Sequence, residues 1–148
     1  SAASDVYKRQ GASSKAMIEA YTEAGLKPED ITYINAHGTS THLNDMLETK
    51  AVKIALGEEQ ARKVKINSTK SMTGHMLGGT GAVEAAVCAL SIRDGFIHQT
   101  IGYTTPDPEC DLDYCVDGPV EMPVNAALSN SLGFGGHNAT LCFKKCVD

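Results

Sequence analysis

Apolar residues recur along the chain at two spacings, one typical of helices and one typical of strands. The first helical pattern follows Ser13 and Ser14, either of which can cap a helix, and it ends at Gly25, a residue type that commonly closes one. A second helix is predicted from Asp45 to Gly57. The apolar faces of these helices consist of Met17, Ile18, Tyr21 and Ala24 in the first, and Leu47, Ala51, Ile54 and Ala55 in the second.

A third helix is predicted in GAVEAAVCALSIRDG, where Glu84 is the one charged residue before Arg93. Because this segment is apolar on nearly all sides, we expect it to be buried between two layers. Residues 98–123 contain most of the prolines and are interpreted as loops and short strands. Strands are predicted in TYINA, in VKINST, and as a hairpin in NAALSNSLGFGGHNATLCFKK. This order of elements indicates an α/β fold in which helices cover a mixed sheet.

Composition narrows the class of protein. The 148 residues are 42% hydrophobic and 21% charged, which is typical of a globular domain with a core of its own. The formal net charge of −5 argues against a nucleic-acid partner, and the short basic segment from Arg62 to Lys65 is interpreted as a solvated loop. No apolar stretch is long enough to cross a membrane, and no secretory signal stands at the start. We therefore expect a cytoplasmic protein.

The first ten residues, SAASDVYKRQ, differ from the rest of the chain. They begin with Ser1 and show neither periodicity nor continuity with the first predicted helix. We interpret residues 1–10 as a non-native or assembly-derived segment and residues 11–148 as the domain.

Neither a disulfide framework nor a metal centre is predicted. The five cysteines are an odd number without a C-x-x-C pair, so we expect reduced thiols, and none of them has the surroundings of an activated nucleophile. His37, His42, Asp45 and Glu48 could in principle hold zinc or iron, but the loop spacing of the histidines does not place them on one helix face. The LGGTGA segment lacks the residues of a phosphate-binding loop. We predict no metal and no cofactor.

Two histidines stand at the ends of separate predicted strands. His37 lies in NAHGTST and His75 in NSTKSMTGH, while Phe134 lies in the turn of the predicted hairpin. Ligand sites in layered α/β folds form where strands end and loops begin. These three residues are therefore the candidates for a common site, whereas His42, His98 and His137 are interpreted as structural.

The motifs NAHGTST, NSTKSMTGH and NSLGFGGHNA, in this order, resemble the C-terminal half of the type II bacterial β-ketoacyl-acyl carrier protein synthases. The resemblance runs from about Gly11 to Lys145. It implies a thiolase-like layered fold, of which this chain holds the second of two repeats, and a homodimer that acts on acyl and malonyl thioesters of acyl carrier protein. The implied reaction is the decarboxylative Claisen condensation of fatty acid elongation.

The resemblance also implies residue roles. His37 and His75 are the histidines of a Cys-His-His set, and two N–H donors fixed near the malonyl thioester oxygen would stabilise the enolate that forms on decarboxylation. Lys70 is the implied active-site lysine, with Glu48 as its carboxylate partner, and we expect its charge to keep His75 neutral. Phe134 is the implied gate residue, whose backbone N–H completes an acyl oxyanion hole. The implied substrate-binding residues are Thr39, Thr41, Thr73, Gly135 and Gly136.

Glu48 has a second interpretation of equal weight. The spacing from Asp45 to Glu48 is also that of a capping box at a helix N-terminus, and the two roles can coexist.

The family's nucleophilic cysteine belongs to the first repeat, which the motifs do not include. We therefore expect this chain to be the C-terminal part of a condensing enzyme and to be inactive alone. Two alternatives stay open. One is a non-catalytic carrier-protein-binding domain or pseudo-subunit, and the other is a polyketide ketosynthase or thiolase relative.

Overall fold

A computed structural model of the chain describes residues 2–146, with side chains described for residues 10–133 and 135–146. Its main sheet has four strands in the order β2-β1-β5-β6. Strand β1 runs parallel to both β2 and β5, and β5 pairs antiparallel with β6 as the predicted hairpin. The strands of this sheet are β1 (Tyr33–Asn35), β2 (Lys65–Asn67), β5 (Ala126–Leu132) and β6 (Asn138–Lys144). The predicted α/β fold with a mixed sheet is confirmed.

The described helices surround this sheet, and a small antiparallel pair of strands lies beside it. The helices are α1 (Ala2–Glu23), α2 (His42–Leu56), α3 (Glu58–Ala61), α4 (Lys70–Thr73) and α5 (Thr80–Asp94), and the small pair is β3 (Phe96–Ile97) with β4 (Val120–Glu121). Within residues 2–146, no helix combines the length and the hydropathy that crossing a membrane would require.

Helix α1 begins at Ala2, eleven residues before the predicted start at Ser13. The expectation that residues 1–10 are not continuous with the first helix is therefore wrong for residues 2–10, and Ser1 lies outside the described residues. Ser14 does not cap the helix, because it lies inside it and its hydroxyl donates to the carbonyl of Gly11. The predicted end is confirmed, since Gly25 has a φ of 71° and its N–H donates to the carbonyl of Thr22. The origin of the first ten residues stays a prediction.

Helix α2 begins at His42, three residues before the predicted start, with Thr41 as the N-cap residue. Asp45 therefore lies inside the helix, so the capping-box interpretation of Asp45 and Glu48 is wrong. Leu47, Ala51 and Ala55 are buried as predicted, whereas Ile54 is 57% exposed.

The core has two parts, one on each face of β1. Ile34 faces α1 and α2 and belongs to the larger cluster, which includes Met17 and Val52. Tyr33 points to the opposite face, where it packs with Cys88 of α5 and with Ile97. This alternation is that of a strand with both faces covered. The Tyr33 hydroxyl donates to Asn67 Oδ1 at 2.7 Å, which satisfies a phenol whose burial raises its pKa.

Ion pairs connect the segment that follows Thr105 to α2 and to Arg62, the residue directly after α3. Asp111 lies 2.6 Å from Lys53 and 3.1 Å from Arg62, while Leu112 and Tyr114 turn inward against the core. The basic segment from Arg62 to Lys65 is thus engaged with acidic residues of this chain. All five cysteines are free thiols, as predicted.

Helix α5 differs from its prediction. Its residues on the protein side are Thr80, Glu84, Cys88 and Ser91, all buried, whereas Val83 and Leu90 face outward and are 36% and 46% exposed. The helix is therefore covered on one side only, and the expected burial between two layers is wrong for this chain. A strip of apolar residues at helical spacing is left on the surface.

We predict that this strip causes the isolated chain to associate, because contiguous exposed apolar surface promotes self-association. The double substitution Val83→Glu and Leu90→Glu should shift the sedimentation profile toward the monomer while leaving the melting temperature within a few degrees of the original. Ile54→Glu is the matched control, since Ile54 is an exposed apolar residue on a different helix. A wild-type chain that sediments as a monomer would contradict the prediction.

Candidate active site

Three chain segments meet at one edge of the main sheet. The end of β1 leads to His37, the end of β2 leads through α4 to His75, and the end of β5 leads to the turn Phe134–Gly136. These ends share an edge because β1 is parallel to both neighbours. A cleft of about 1070 Å³ lies between them and is lined by both histidines and by residues of the turn.

The two histidine rings face each other across a short distance. Their centroids lie 5.7 Å apart and their planes are nearly perpendicular, at 86°. Both residues line the same cleft. The prediction that His37 and His75 meet is confirmed. Their catalytic roles stay predictions.

The hydrogen bonds of His75 determine which of its nitrogens carries the proton. The backbone N–H of Leu77 donates to Nδ1 at 3.0 Å, and the Thr80 hydroxyl lies 3.3 Å from the same atom. That hydroxyl accepts the N–H of Met76 at 2.8 Å, so its own hydrogen is available for Nδ1. A nitrogen that accepts two donors is unprotonated, so the neutral ring carries its hydrogen on Nε2. His75 is thereby built as a donor.

His37 is held neutral by its surroundings. Burial, the positive charge of Lys70 and the neighbouring His75 together lower its pKa from 6.5 to about 4, and burial is the largest of these causes. At neutral pH the ring is therefore uncharged and has one N–H to donate. The sequence predicted this effect of Lys70 for His75; the structure shows it for His37.

The carboxylate partner of Lys70 is Glu84, not Glu48 as the sequence predicted. Lys70 Nζ lies 2.5 Å from Glu84 Oε1, and the two side chains are 5% and 1% exposed. The cause is the buried face of α5, which carries Glu84 toward α4. Burial raises the pKa of Glu84, and the hydrogen bond and charge of Lys70 oppose that rise. Glu84 Oε2 has no hydrogen-bond partner among the described residues. The signal in the sequence was Glu84 itself, the one charged residue before Arg93 in an otherwise apolar segment.

Glu48 instead binds the peptide that carries His37. Its Oε1 accepts the backbone N–H of His37 at 2.8 Å, and its Oε2 accepts that of Gly38 at 2.9 Å. Asn130 donates to Oε1 from β5 at 3.2 Å. Burial raises the pKa of Glu48, and these three donors oppose the rise by stabilising the carboxylate. The geometry makes Glu48 an anchor for the His37 loop.

The His37 loop also requires a glycine. Gly38 has a φ of 38°, and a Cβ at this position would lie 2.5 Å from the Cβ of Ser68. A larger residue would therefore push the loop away from the segment that follows β2.

The remaining predicted residues divide into two groups. Thr39, Thr41 and Gly136 line the cleft, and the two threonine hydroxyls lie 2.9 Å apart. Thr73 and Gly135 do not line it. The Thr73 hydroxyl hydrogen-bonds locally instead, with the carbonyls of Thr69 and Gly74 as acceptors.

The turn itself is formed by positive φ angles of 80° and 84° at Gly135 and Gly136 and by a 2.6 Å hydrogen bond from the N–H of Gly133 to the carbonyl of His137. Phe134 lies in this turn by its backbone, and the prediction for its ring falls on a side chain outside the described ones.

Among the described residues no cluster of three or more His, Cys, Asp or Glu side chains is placed to hold a metal ion. His42 turns toward Asp107 and Glu109, at 3.5 Å from each.

The His37 ring should titrate near pH 4, measured by NMR of the ring protons, because burial and Lys70 disfavour the imidazolium. Below pH 6.5 the unfolded chain binds a proton that the folded chain does not, so this group makes the folded state less stable as pH falls from about 6.5 toward 4. The variant His37→Asn identifies the resonance. A ring that titrates at pH 6.5 or above would contradict the assignment.

Nitrogen NMR of the neutral His75 ring should show a protonated Nε2 and an unprotonated Nδ1, because Leu77 and Thr80 both face Nδ1. Thr80→Val should leave this tautomer unchanged, since the Leu77 N–H remains. Observation of the proton on Nδ1 would show that the hydrogen-bond assignment is wrong.

Comparison with known proteins places these features in a family. The 3-oxoacyl-[acyl-carrier-protein] synthase 2 of Staphylococcus aureus is 54% identical over 132 residues, which are 89% of this chain and 32% of that protein. The protein of the same name from Synechocystis is 52% identical over the same lengths. The chain thus spans about a third of the curated relatives it matches.

Solved structures of similar proteins support the same family. A type II polyketide synthase acyl-carrier protein in complex with its ketosynthase, bound to the hexaketide, matches with a TM-score of 0.84 and 41% identity, over 93% of this chain and 34% of that one. The β-ketoacyl synthase of Burkholderia phymatum matches with a TM-score of 0.80 and 32% identity, over 91% of this chain and 33% of that one. These neighbours confirm the thiolase-like fold predicted from the resemblance.

The family of the β-ketoacyl synthase C-terminal domain matches residues 2–104, a range that includes both histidines, Lys70 and Glu84. This chain therefore belongs to the β-ketoacyl synthase family.

Proposed function

We propose that this chain is the C-terminal part of a 3-oxoacyl-[acyl-carrier-protein] synthase, which condenses malonyl-carrier protein with an acyl thioester during fatty acid elongation. The observation that carries the proposal is the pair of histidine rings, 5.7 Å apart and directed at one cleft. The 54% identity to a synthase of this name supports the choice of reaction.

The histidines act in the decarboxylation step. The bond between the malonyl carboxylate and its methylene carbon breaks, carbon dioxide leaves, and the electron pair develops as an enolate on the thioester oxygen. His75 donates its Nε2–H to that oxygen, and neutral His37 supplies the second N–H. One donor of this kind typically lowers a barrier by about 2.7–4 kcal/mol. Both rings must be neutral to act as donors without fixing a full positive charge in the cleft, and the low pKa of His37 meets this need.

The carbon–carbon bond then forms when the enolate carbon attacks the acyl thioester carbonyl. The thiolate of the acyl-enzyme leaves, and the product stays on the carrier protein. The backbone N–H of Phe134 is the proposed donor to the acyl oxyanion, and the positive φ angles of Gly135 and Gly136 allow a tight turn beside it. The Lys70–Glu84 pair keeps a cation close to His37 without exposing it to solvent.

The acyl-carrying thiol must come from outside this chain. None of its five cysteines lines the cleft that holds the histidines. Burial raises the pKa of Cys88 to about 12 and that of Cys115 to about 11, so both are protonated at neutral pH and are poor nucleophiles. The proposal therefore places the nucleophilic cysteine in the rest of a longer protein.

The proposed partner is an acyl carrier protein that delivers both thioesters. A neighbouring ketosynthase is found in complex with such a carrier, and this supports the proposal. The proposal includes a homodimer, as the resemblance implies, and a cytoplasmic location, as expected from the sequence.

A second candidate is the corresponding condensation in polyketide synthesis. It is favoured by the 41% identity to the hexaketide-bound polyketide ketosynthase complex. Product analysis with one malonyl carrier separates the two, because a fatty acid enzyme extends reduced acyl chains whereas a polyketide enzyme extends unreduced ones.

The decisive measurement is product formation. We predict that this chain alone forms no β-ketoacyl product, and that a polypeptide joining it to the N-terminal part of a 3-oxoacyl-[acyl-carrier-protein] synthase does. In that protein His37→Ala and His75→Ala should each lower malonyl decarboxylation about 10²–10³-fold, as expected for loss of one oxyanion donor. Acyl transfer to the cysteine should change much less.

His42→Ala is the control, because this exposed histidine pairs with Asp107 and Glu109 away from the cleft. Condensation by His75→Ala at the wild-type rate would refute the proposed role. A non-catalytic domain would show no decarboxylation in any of these proteins while still binding the carrier.

A further inference from the structure

Asn130 is a buried polar residue that begins the NSLGFGGHNA motif, and neither the resemblance nor the proposed reaction assigns it a role. It lies on β5 directly before Ser131, which lines the cleft, and it is 1% exposed. Its amide contacts three other elements. Nδ2 donates to Glu48 Oε1 of α2 at 3.2 Å and lies 3.4 Å from Met17 Sδ of α1, and Oδ1 accepts the Thr140 hydroxyl of β6 at 2.9 Å.

Only one orientation of this amide fits its neighbours. With the amide reversed, Oδ1 would face the Glu48 carboxylate, and two acceptors would meet in a buried place. The observed orientation lets each polar atom of Asn130 serve a different partner. The side chain is therefore fixed from both ends.

The bond to Glu48 reaches His37 directly. The oxygen that accepts Asn130 Nδ2 is the one that accepts the His37 backbone N–H, and the other oxygen of the same carboxylate accepts the N–H of Gly38. With only the two peptide N–H groups as donors, the Glu48 carboxylate and the His37 loop could still move together with α2 relative to the sheet. A third donor from the sheet fixes its position relative to β5.

The bond to Thr140 reaches the turn. Asn130 and Thr140 are opposite each other in the register of β5 and β6, the two strands that the Phe134–Gly136 turn connects. A cross-strand hydrogen bond on one face keeps such strands in register close to their turn. One amide thus joins the base of the turn to the loop of His37.

We propose that Asn130 is a positioning residue, which through Glu48 and Thr140 sets the His37 loop relative to the Gly133–Gly136 turn. The inference rests on the proposed function in one respect: the two segments it joins are those that supply the enolate donor and the acyl oxyanion donor. Asn130 itself does not touch the reacting atoms.

The first test measures amide hydrogen exchange by NMR, in the Val83→Glu, Leu90→Glu background that favours the monomer. Asn130→Leu keeps the size of the side chain and removes its donor. The exchange rates of the His37 and Gly38 amides should rise at least tenfold, while that of Ile34 in β1 stays within twofold.

The matched control is Asn67→Leu, which removes an equally buried amide that binds Tyr33 and the His98 carbonyl and does not touch Glu48. This control should leave the exchange rates of the His37 and Gly38 amides within twofold of the wild-type rates. Unchanged exchange at His37 and Gly38 in Asn130→Leu, or an equal rise in Asn67→Leu, overturns the proposal.

A second variant covers the case in which Asn130→Leu does not fold. Of the three described hydrogen-bond partners of Asn130, which are Met17, Glu48 and Thr140, Glu48 is the one with an ionisable side chain. Asn130→Asp therefore places two carboxyl groups together, and such a pair retains one proton at low pH. At each pH, the exchange rates of the His37 and Gly38 amides in Asn130→Asp are divided by those of the wild type. This ratio should be near one while the two carboxyl groups share a proton, and at least tenfold higher once that proton is lost. A ratio that does not change with pH overturns the proposal.

Condensation kinetics separate this inference from the proposed function. They are measured in the polypeptide that joins this chain to the N-terminal part of a 3-oxoacyl-[acyl-carrier-protein] synthase. Asn130→Leu should lower kcat for condensation at least tenfold and change KM for the acyl carrier substrate less than twofold, because the carrier does not contact a buried amide. If the wild-type joined protein has no condensing activity, the proposed function fails, and the exchange experiment still decides the role of Asn130. A large change in KM with an unchanged kcat in Asn130→Leu overturns the proposed positioning role of Asn130.

Discussion

The candidate site depends on one constraint, the parallel pairing of β1 with both of its neighbours. Parallel strands end at the same edge of a sheet, so the chain leaves β1, β2 and β5 at one place. Three segments that are distant in sequence, which contain His37, His75 and the glycine turn, are thereby brought to one cleft. An antiparallel β1 would have sent the His37 loop to the opposite edge of the sheet.

The buried Lys70–Glu84 pair explains the unusual polarity of α5. Two charges with side chains 5% and 1% exposed are tolerable only when each has the other as a partner. Glu84 must therefore face inward, and the small or polar Thr80, Cys88 and Ser91 follow it on that side of the helix. The apolar residues Val83 and Leu90 are left on the outer side. The electrostatics of the site and the exposed strip of α5 thus have one cause.

The sequence predicted the fold well where local patterns determine structure. The short strands, the final hairpin and the glycine at the end of α1 follow from residue preferences that act over a few positions. The start of α2 was missed by three residues because Asp45 has the character of a cap, whereas the chain uses Thr41. The start of α1 was missed because residues 2–10 show no apolar periodicity in the sequence.

The site was predicted less completely than the fold. Motif context identified both histidines and Lys70, but the spacing of acidic residues could not show which carboxylate meets Lys70. That choice depends on how α5 is rotated against α4, and the rotation is a property of packing. Asn130 begins the NSLGFGGHNA motif, but the motif could not show which side chains its buried amide meets.

The tautomer of His75 has a consequence for the ions that the cleft admits. A neutral imidazole binds a transition metal through its unprotonated nitrogen, and in His75 that atom already accepts hydrogen bonds from the loop that follows it. A zinc or copper ion entering the cleft would meet the Nε2–H of this ring and would have to displace the Leu77 backbone N–H before it could coordinate Nδ1. The arrangement that makes the His75 ring a donor also disfavours metal binding by that ring, although a second histidine lies beside it.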